Sequence, residues 1–330
     1  MTAKWFTDFF YSQLLVTLPY PKTSFSGQIV IVTGSNTGLG LEAARHFVRL
    51  NASKVILAVR TLSKGEAAKA NILATLPNAY PKIIEIWPLD LSSFESVKQF
   101  ANKVNGLERL DVVVENAGMA TGHWKEVEGN EIMITTNVIS TGLLALLVLP
   151  KLRESASKYN MVPRLSIVSS ELHFMCKFEE RKEEDIFAAL NRKEGAKIGE
   201  RYAVSKLLEV FFVRELAKKI NESKKPKVIV NCMTPGACKS DFDRESTGLK
   251  AVVMGVLKFL IARTTEAGSR TLLAGATAGE ESHGQYMTNC VVDKPSPLVL
   301  SEEGAVLQKK LWDQLLKKLE VIQPDIEKNI

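Results

Sequence analysis

The stretch QIVIVTGSNTGLG, residues 28–40, decides how the rest of the chain is read. A short, uncharged, largely β-branched run (28–33) ends in a turn holding Gly34, Gly38 and Gly40, and an amphipathic helical pattern begins there. Small residues in a strand-to-helix turn permit a tight bend and let the first N–H groups of the helix approach a phosphate. The spacing is G-x-x-x-G-x-G instead of G-x-G-x-x-G, and a glycine-rich turn alone is a weak signal. A strand before it and a helix after it make Gly34, Ser35, Asn36, Thr37, Gly38, Leu39 and Gly40 a candidate dinucleotide-phosphate loop.

The same alternation continues along the chain. Strands are expected at 28–33, 54–59, 82–87, 110–115, 164–169 and 228–233, most of them apolar throughout, as strands covered on both faces should be. Helical patterns fall between them at about 38–50, 61–75, 92–104, 128–157, 199–221 and 263–278, with another at about 301–320. The expected fold is α/β: a doubly wound parallel sheet flanked by helices, of the Rossmann type, in a single domain. An N-terminal extension (1–26) precedes the domain (27–300), and a C-terminal helix (301–330) closes it. Residues 174–199 form an insertion whose charge run, KFEERKEED, reads as a solvated helix or loop.

Composition narrows the function. The 330 residues carry 43 basic and 37 acidic side chains, a formal net charge of +6. That mild excess suits a phosphate-bearing cofactor or an anionic membrane surface, and it is too dispersed to suggest nucleic acid. The four cysteines, Cys176, Cys232, Cys238 and Cys290, form no C-x-x-C pair, and the four histidines show no metal-ligand spacing. They read as reduced thiols of an intracellular, cytoplasmic protein. No apolar run reaches the roughly 18 residues that would suggest a membrane span. The aromatic N-terminus, with Asp8 interrupting it, reads as an amphipathic helix lying on the protein or on a membrane and ending in the region of Leu18, Pro19 and Pro21; it lacks the regions of a signal peptide.

In an open α/β sheet, ligands bind outside the C-terminal ends of the strands. At the end of the second strand, Val59 leaves no carboxylate for a ribose hydroxyl, while Arg60 follows at once and Lys64 lies one turn on. That corner suits a 2′-phosphate, so NADP(H) is expected over NAD(H). Asp90 and Leu91 follow the third strand, and Asn116, Ala117 and Gly118 the fourth; Asp90 also suits a helix N-cap. Further on, ERYAVSKLLE (200–209) sets Tyr202 and Lys206 one helical turn apart on one face. A neighbouring ammonium favours the phenolate and is expected to lower the tyrosine pKa, giving a usable proton donor.

Taken in order, TGSNTGLG, DLSS, ENAG, Asn137 in TTNVIS, IVSS and YAVSK resemble the short-chain dehydrogenase/reductase family over about residues 27–290. The long gap between Ser170 and Tyr202 and the SSELHF element are similar to the retinol-dehydrogenase-like branch and to related reductases of fungal secondary metabolism. The resemblance implies a tetrad of Asn137, Ser170, Tyr202 and Lys206. Tyr202 would exchange a proton with the substrate oxygen and Ser170 would hydrogen-bond that oxygen, with Ser169 the alternative serine. Lys206 would hold the nicotinamide ribose, and Asn137 would position a relay water. TPGACKS resembles the loop that puts Pro235, Gly236, Cys238 and Ser240 near the cofactor.

Two departures from the family pattern stand out. Glu115 replaces the usual first asparagine of NNAG, expected to bear on stability more than chemistry, and the insertion after Ser170 is long. His173 is a candidate pocket residue or a structural one. The apolar segment within about 240–262 reads as a lid over a bulky substrate, with a membrane contact or homodimer interface as alternatives. The implied activity is NADP(H)-dependent interconversion of a carbonyl and an alcohol on an apolar small molecule. A non-redox cyclisation, isomerisation or dehydration on the same fold, and a non-catalytic nucleotide-binding module, stay open.

Overall fold

A computed structural model describes residues 3–239 and 261–330. Strands β1 (Ile29–Thr33), β2 (Lys54–Val59), β3 (Ile84–Pro88), β4 (Val112–Glu115), β7 (Arg164–Val168), β8 (Ile229–Met233), β9 (Tyr286–Thr288) and β10 (Val291–Asp293) form one sheet. Its order is β10-β9-β8-β7-β4-β1-β2-β3, parallel except for the β9/β10 pair. A separate two-stranded ribbon, β5 (Glu126–Val127) and β6 (Asn130–Glu131), lies outside it. The expected doubly wound parallel sheet is thus present, and the six expected strands are its six longest.

Alternation along each strand divides the core in two. Ile31 and Val113 face one side of the sheet, where α4 (Phe94–Asn105), α6 (Thr141–Tyr159), α8 (Ile198–Glu222) and the C-terminal helix Glu302–Ile322 pack. Val30, Val32 and Val112 face the other, against α2 (Gly38–Arg49), α3 (Leu62–Thr75) and the helix Thr265–Thr277. Chain connectivity reverses between β1 and its neighbour β4. At such a switch point the helices leave to opposite faces and open a crevice.

Two features depart from expectation and two refine it. The charge run is largely solvated, as expected, with Lys177, Glu179, Lys182, Glu183, Glu184 and Asp185 exposed, but it is anchored by Phe178, which is fully buried, and by Glu180, which pairs at 2.9 Å with Arg201, a side chain 1% exposed; α7 (Ile186–Leu190), just beyond the run, packs against the core. The helical stretch Ile132–Tyr159, in which α5 (Ile132–Ile134) leads through a π-helical turn into α6, is long and apolar enough to cross a membrane, but 94% of its most apolar window is buried in the fold. Strands β9 and β10 were not expected. The N-terminal helix α1 (Ala3–Leu15) lies on the protein: Ser12 and Gln13 are buried, while Tyr11, Leu14 and Leu15 are exposed. The expected lid lies almost wholly outside the described residues.

Candidate active site

The crevice is built from two loops that clasp each other across the switch point. After β1, Gly34 has φ +64°, and an added Cβ would meet Ala117 Cα at 2.9 Å. Gly40 is equally closed, with Asn116 Nδ2 and Gly34 O both 2.6 Å from such an atom. Thr33 Oγ1 accepts the backbone N–H groups of Asn116 (2.9 Å) and Ala117 (2.8 Å), and Asn116 Nδ2 donates to Thr33 O at 2.8 Å. Gly38 differs: its φ is +59° with open space beside it. It begins α2, whose N-cap residue Thr37 makes no side-chain cap, so the first N–H groups of the helix have no capping acceptor there. Of the candidate loop residues, Ser35 is buried with Oγ donating to Val32 O at 2.9 Å, and Leu39 packs toward Gly268. Asn36, Thr37 and Gly38 line the accessible edge.

Arg60 and Lys64 are exposed just beyond β2, and neither has a carboxylate partner among the described residues. Asp90 is not the helix N-cap. Its Oδ1 accepts from Ser92 N (2.9 Å) and Ser92 Oγ (2.7 Å), and Ser93 caps α4 by accepting from Ser96 N. Leu91 is buried in the core. Across from them, Gly236 has φ +74° and Cys238 is buried against Gly268. Ser240 lies outside the described residues. Thr234 Oγ1 accepts from Gly236 N at 3.1 Å and from Glu171 N at 3.2 Å, joining this loop to the one that carries Ser170.

Tyr202 and Lys206 lie on the first half of α8, at the crevice. The Tyr202 ring is half-buried and Lys206 Nζ sits 5.8 Å from its centroid. The two consecutive serines separate cleanly. Ser170 hydrogen-bonds the Tyr202 side chain, whereas Ser169 is buried and donates from Oγ to Lys206 O at 2.9 Å. Asn137 stands in the π-helical turn Thr135–Ser140. Its Oδ1 accepts Met119 N, and its Nδ2 donates to Met119 O and Ser205 Oγ, each at 2.9 Å. The side chain therefore ties the loop after β4 to α8. The structure brings Asn137, Ser170, Tyr202 and Lys206 to one place.

One electrostatic expectation is corrected. The Tyr202 pKa is raised, not lowered: burial pushes it up, Lys206 pulls it down, Glu209 pushes it up again and the Ser170 bond pulls it down. Lys206 Nζ donates to Glu209 Oε1 at 2.7 Å and to Val168 O at 2.8 Å, so its charge is shared with a carboxylate only 2% exposed. Burial works to lower the Lys206 pKa, but Glu209 and Tyr202 outweigh it and the ammonium is held. Glu209 was legible as the last letter of ERYAVSKLLE, three residues after Lys206 on the same helix. Glu115, buried at the end of β4, feels the charge of Glu209.

Comparison with known proteins fixes the lineage. The family described as short chain dehydrogenase matches residues 28–169. The short chain dehydrogenase/reductase dmxR8 of Cryptosporiopsis sp. (strain 8999) is 46% identical over 326 residues, 97% of this chain and 99% of that protein. The chain belongs to the short-chain dehydrogenase/reductase family. A second relative, the short chain dehydrogenase atnD of Emericella nidulans, is 44% identical over 281 residues, covering 84% of this chain and 89% of that protein. Among solved structures, the Pseudomonas aeruginosa RhlG/NADP active-site complex superposes with a TM-score of 0.62 at 22% identity, over 82% of this chain and 97% of that one, a likeness of fold. Members of this family are generally oxidoreductases that bind a nicotinamide cofactor. The open cradle at Gly38, the uncapped start of α2 and the third donor of the Lys206 ammonium fit such a dinucleotide.

Proposed function

We propose that the chain interconverts a carbonyl and an alcohol on a fairly apolar small molecule, using NADP(H), as a reductase of secondary metabolism. The observation that carries this is the placing of the Tyr202 hydroxyl: held by Ser170, with Lys206 beside its ring, at the sheet edge where the glycine-rich loop opens.

The cofactor, when bound, supplies or accepts the hydride. The uncapped N–H groups of α2, beside Asn36 to Gly38, would receive its pyrophosphate, and Arg60 and Lys64 its 2′-phosphate. Asp90, Leu91 and the Asn116–Gly118 loop would border the adenosine side, and Pro235, Gly236 and Cys238 the nicotinamide side. Lys206 has one donor left for a ribose hydroxyl after its bonds to Glu209 and Val168. Tyr202 exchanges the proton with the substrate oxygen, and Ser170 hydrogen-bonds that oxygen so that less charge builds on it. Asn137 keeps Met119 and α8 in register beneath the site. Leu172 and Met175, exposed on the turn after Ser170, present apolar surface suited to the substrate class.

The test is a screen of apolar ketones and aldehydes, following NADPH consumption, beside binding titrations with NADPH and NADH. Tyr202→Phe should retain NADPH affinity and lose at least about 100-fold in turnover. Full activity in that variant would overturn the proposal. Deuterium carried from labelled NADPH into product separates reduction from a non-redox reaction.

A further inference from the structure

Below the crevice lies a group of ionisable side chains that the proposed chemistry leaves unused. Glu209 on α8 is 2% exposed and Glu115 on β4 is 3% exposed. Both oxygens of Glu115 and Oε2 of Glu209 have no hydrogen-bond partner among the described residues. Glu209 Oε1 holds Lys206 Nζ at 2.7 Å. The groups facing Glu209 are Lys206 and Tyr202 from its own helix, Glu115 from β4, and Cys232 from β8, with Arg214 acting on the Cys232 thiol.

Two buried carboxylates that feel each other, with one ammonium bonded to Glu209 alone, cannot both carry charge without a large desolvation cost, because neither has the full set of donors an ionised carboxylate needs. Protonation is the remaining way to bury them. Whether Glu209 is ionised then decides what Tyr202 feels: an ionised Glu209 cancels part of the Lys206 field, and a protonated Glu209 leaves it whole.

We infer that Glu209 is a positioning residue that sets, through its own proton, how strongly Lys206 activates the Tyr202 phenol. The inference rests on reading Tyr202 as the proton donor, and it deepens that reading by naming a neighbour that tunes it. Burial pushes the Glu209 carboxyl up to about 7 and Lys206 pulls against that, so the change of state falls near neutrality. As pH rises through that point the proton leaves Glu209, the net positive field at Tyr202 weakens and the phenol becomes harder to ionise.

The experiment uses the full chain labelled with carbon-13 at the tyrosine ζ carbon, with the Tyr202 signal among six tyrosines assigned by its loss in Tyr202→Phe. In the wild type, the Tyr202 signal should show a small inflection near neutral pH before its main titration. In Glu209→Gln, which keeps the size of the side chain and removes its charge, that inflection should vanish and the main midpoint should move to lower pH. A wild-type curve without the inflection, or a variant midpoint that stays or rises, overturns the inference. Should Glu209→Gln fail to fold, Glu209→Met gives the same two readouts, and the wild-type curve stands without either. NADPH titration of the same samples keeps the two claims apart. Absence of wild-type binding refutes the proposed function, whereas normal binding with an unmoved Tyr202 midpoint refutes only the role of Glu209.

Discussion

His173 Nδ1 donates to the backbone oxygen of Ser170 at 2.7 Å. Its other nitrogen, Nε2, accepts the Ser296 N–H at 3.0 Å, which fixes the neutral tautomer and ties the turn after β7 to the chain before the C-terminal helix. The ring is 1% exposed and packs against Tyr286, its centroid 4.9 Å away. It is a structural clamp on the loop that carries Ser170.

That clamp has a pH signature. Burial pushes the His173 pKa down to about 4, so between the unfolded value near 6.5 and 4 the unfolded chain binds the extra proton. Its contribution is whole above about pH 6.5 and is lost as pH falls through that window, amounting to roughly 3 kcal/mol. Glu171 and Glu209, both pushed up to about 7, slope the other way. Denaturation curves of wild type and His173→Gln at several pH values isolate the histidine: the gap between them should narrow on acidification.

Ser169 and Ser170 should separate in function as they do in space. Ser170→Ala is expected to lower turnover on the order of 100-fold by removing a donor to the substrate oxygen. Ser169→Ala should keep turnover within a few-fold and lose about 1 kcal/mol of stability with its buried bond to Lys206 O. Kinetics and urea melts on the pair decide it.

The glycines of the first loop predict two different failures. Gly34→Ala adds a Cβ against Ala117 at a positive φ and should cost about 3 kcal/mol, read as a lowered denaturation midpoint. Gly38→Ala meets nothing in the protein, so it should cost only about 1–2 kcal/mol of backbone strain while NADPH binding weakens sharply. Equal effects of both on binding and stability would count against the phosphate site.

Arg60→Ala should weaken NADPH binding by roughly 10- to 100-fold, as loss of a charge-assisted contact does, and leave NADH binding nearly unchanged. Fluorescence titration with both nucleotides measures the ratio. A uniform loss for the two would move the 2′-phosphate elsewhere.

How much of this was legible in the sequence follows from the range over which each signal acts. Strand β2 came out with its observed ends because Lys54 and Val59 bound an apolar run buried on both faces. β9 and β10 escaped notice because each has three residues, and the turn between them uses Asn289 and Cys290 at φ 50° and 68° in place of a recognisable Asn-Gly. The charge run was legible as solvated, but its anchoring partners, such as Arg201 for Glu180, lie beyond the run itself and were not. Tyr202 and Lys206 were visible as a one-turn pair, but the net direction of the Tyr202 pKa was not, since it depends on burial and on Glu209. Glu115 met Glu209 only when the sheet brought the end of β4 beneath α8.

The first helix of the chain bears on the crevice as well. An added Cβ at Gly236 would lie 2.3 Å from the Gln13 side-chain amide, and Arg263 donates to both Ser12 O and Asn289 Oδ1. The opening residues thus brace the rim on which the nicotinamide side is expected to rest. Shortening the chain to begin at the glycine-rich unit would remove a strut from that rim, and a bulky fusion at the front end would load it.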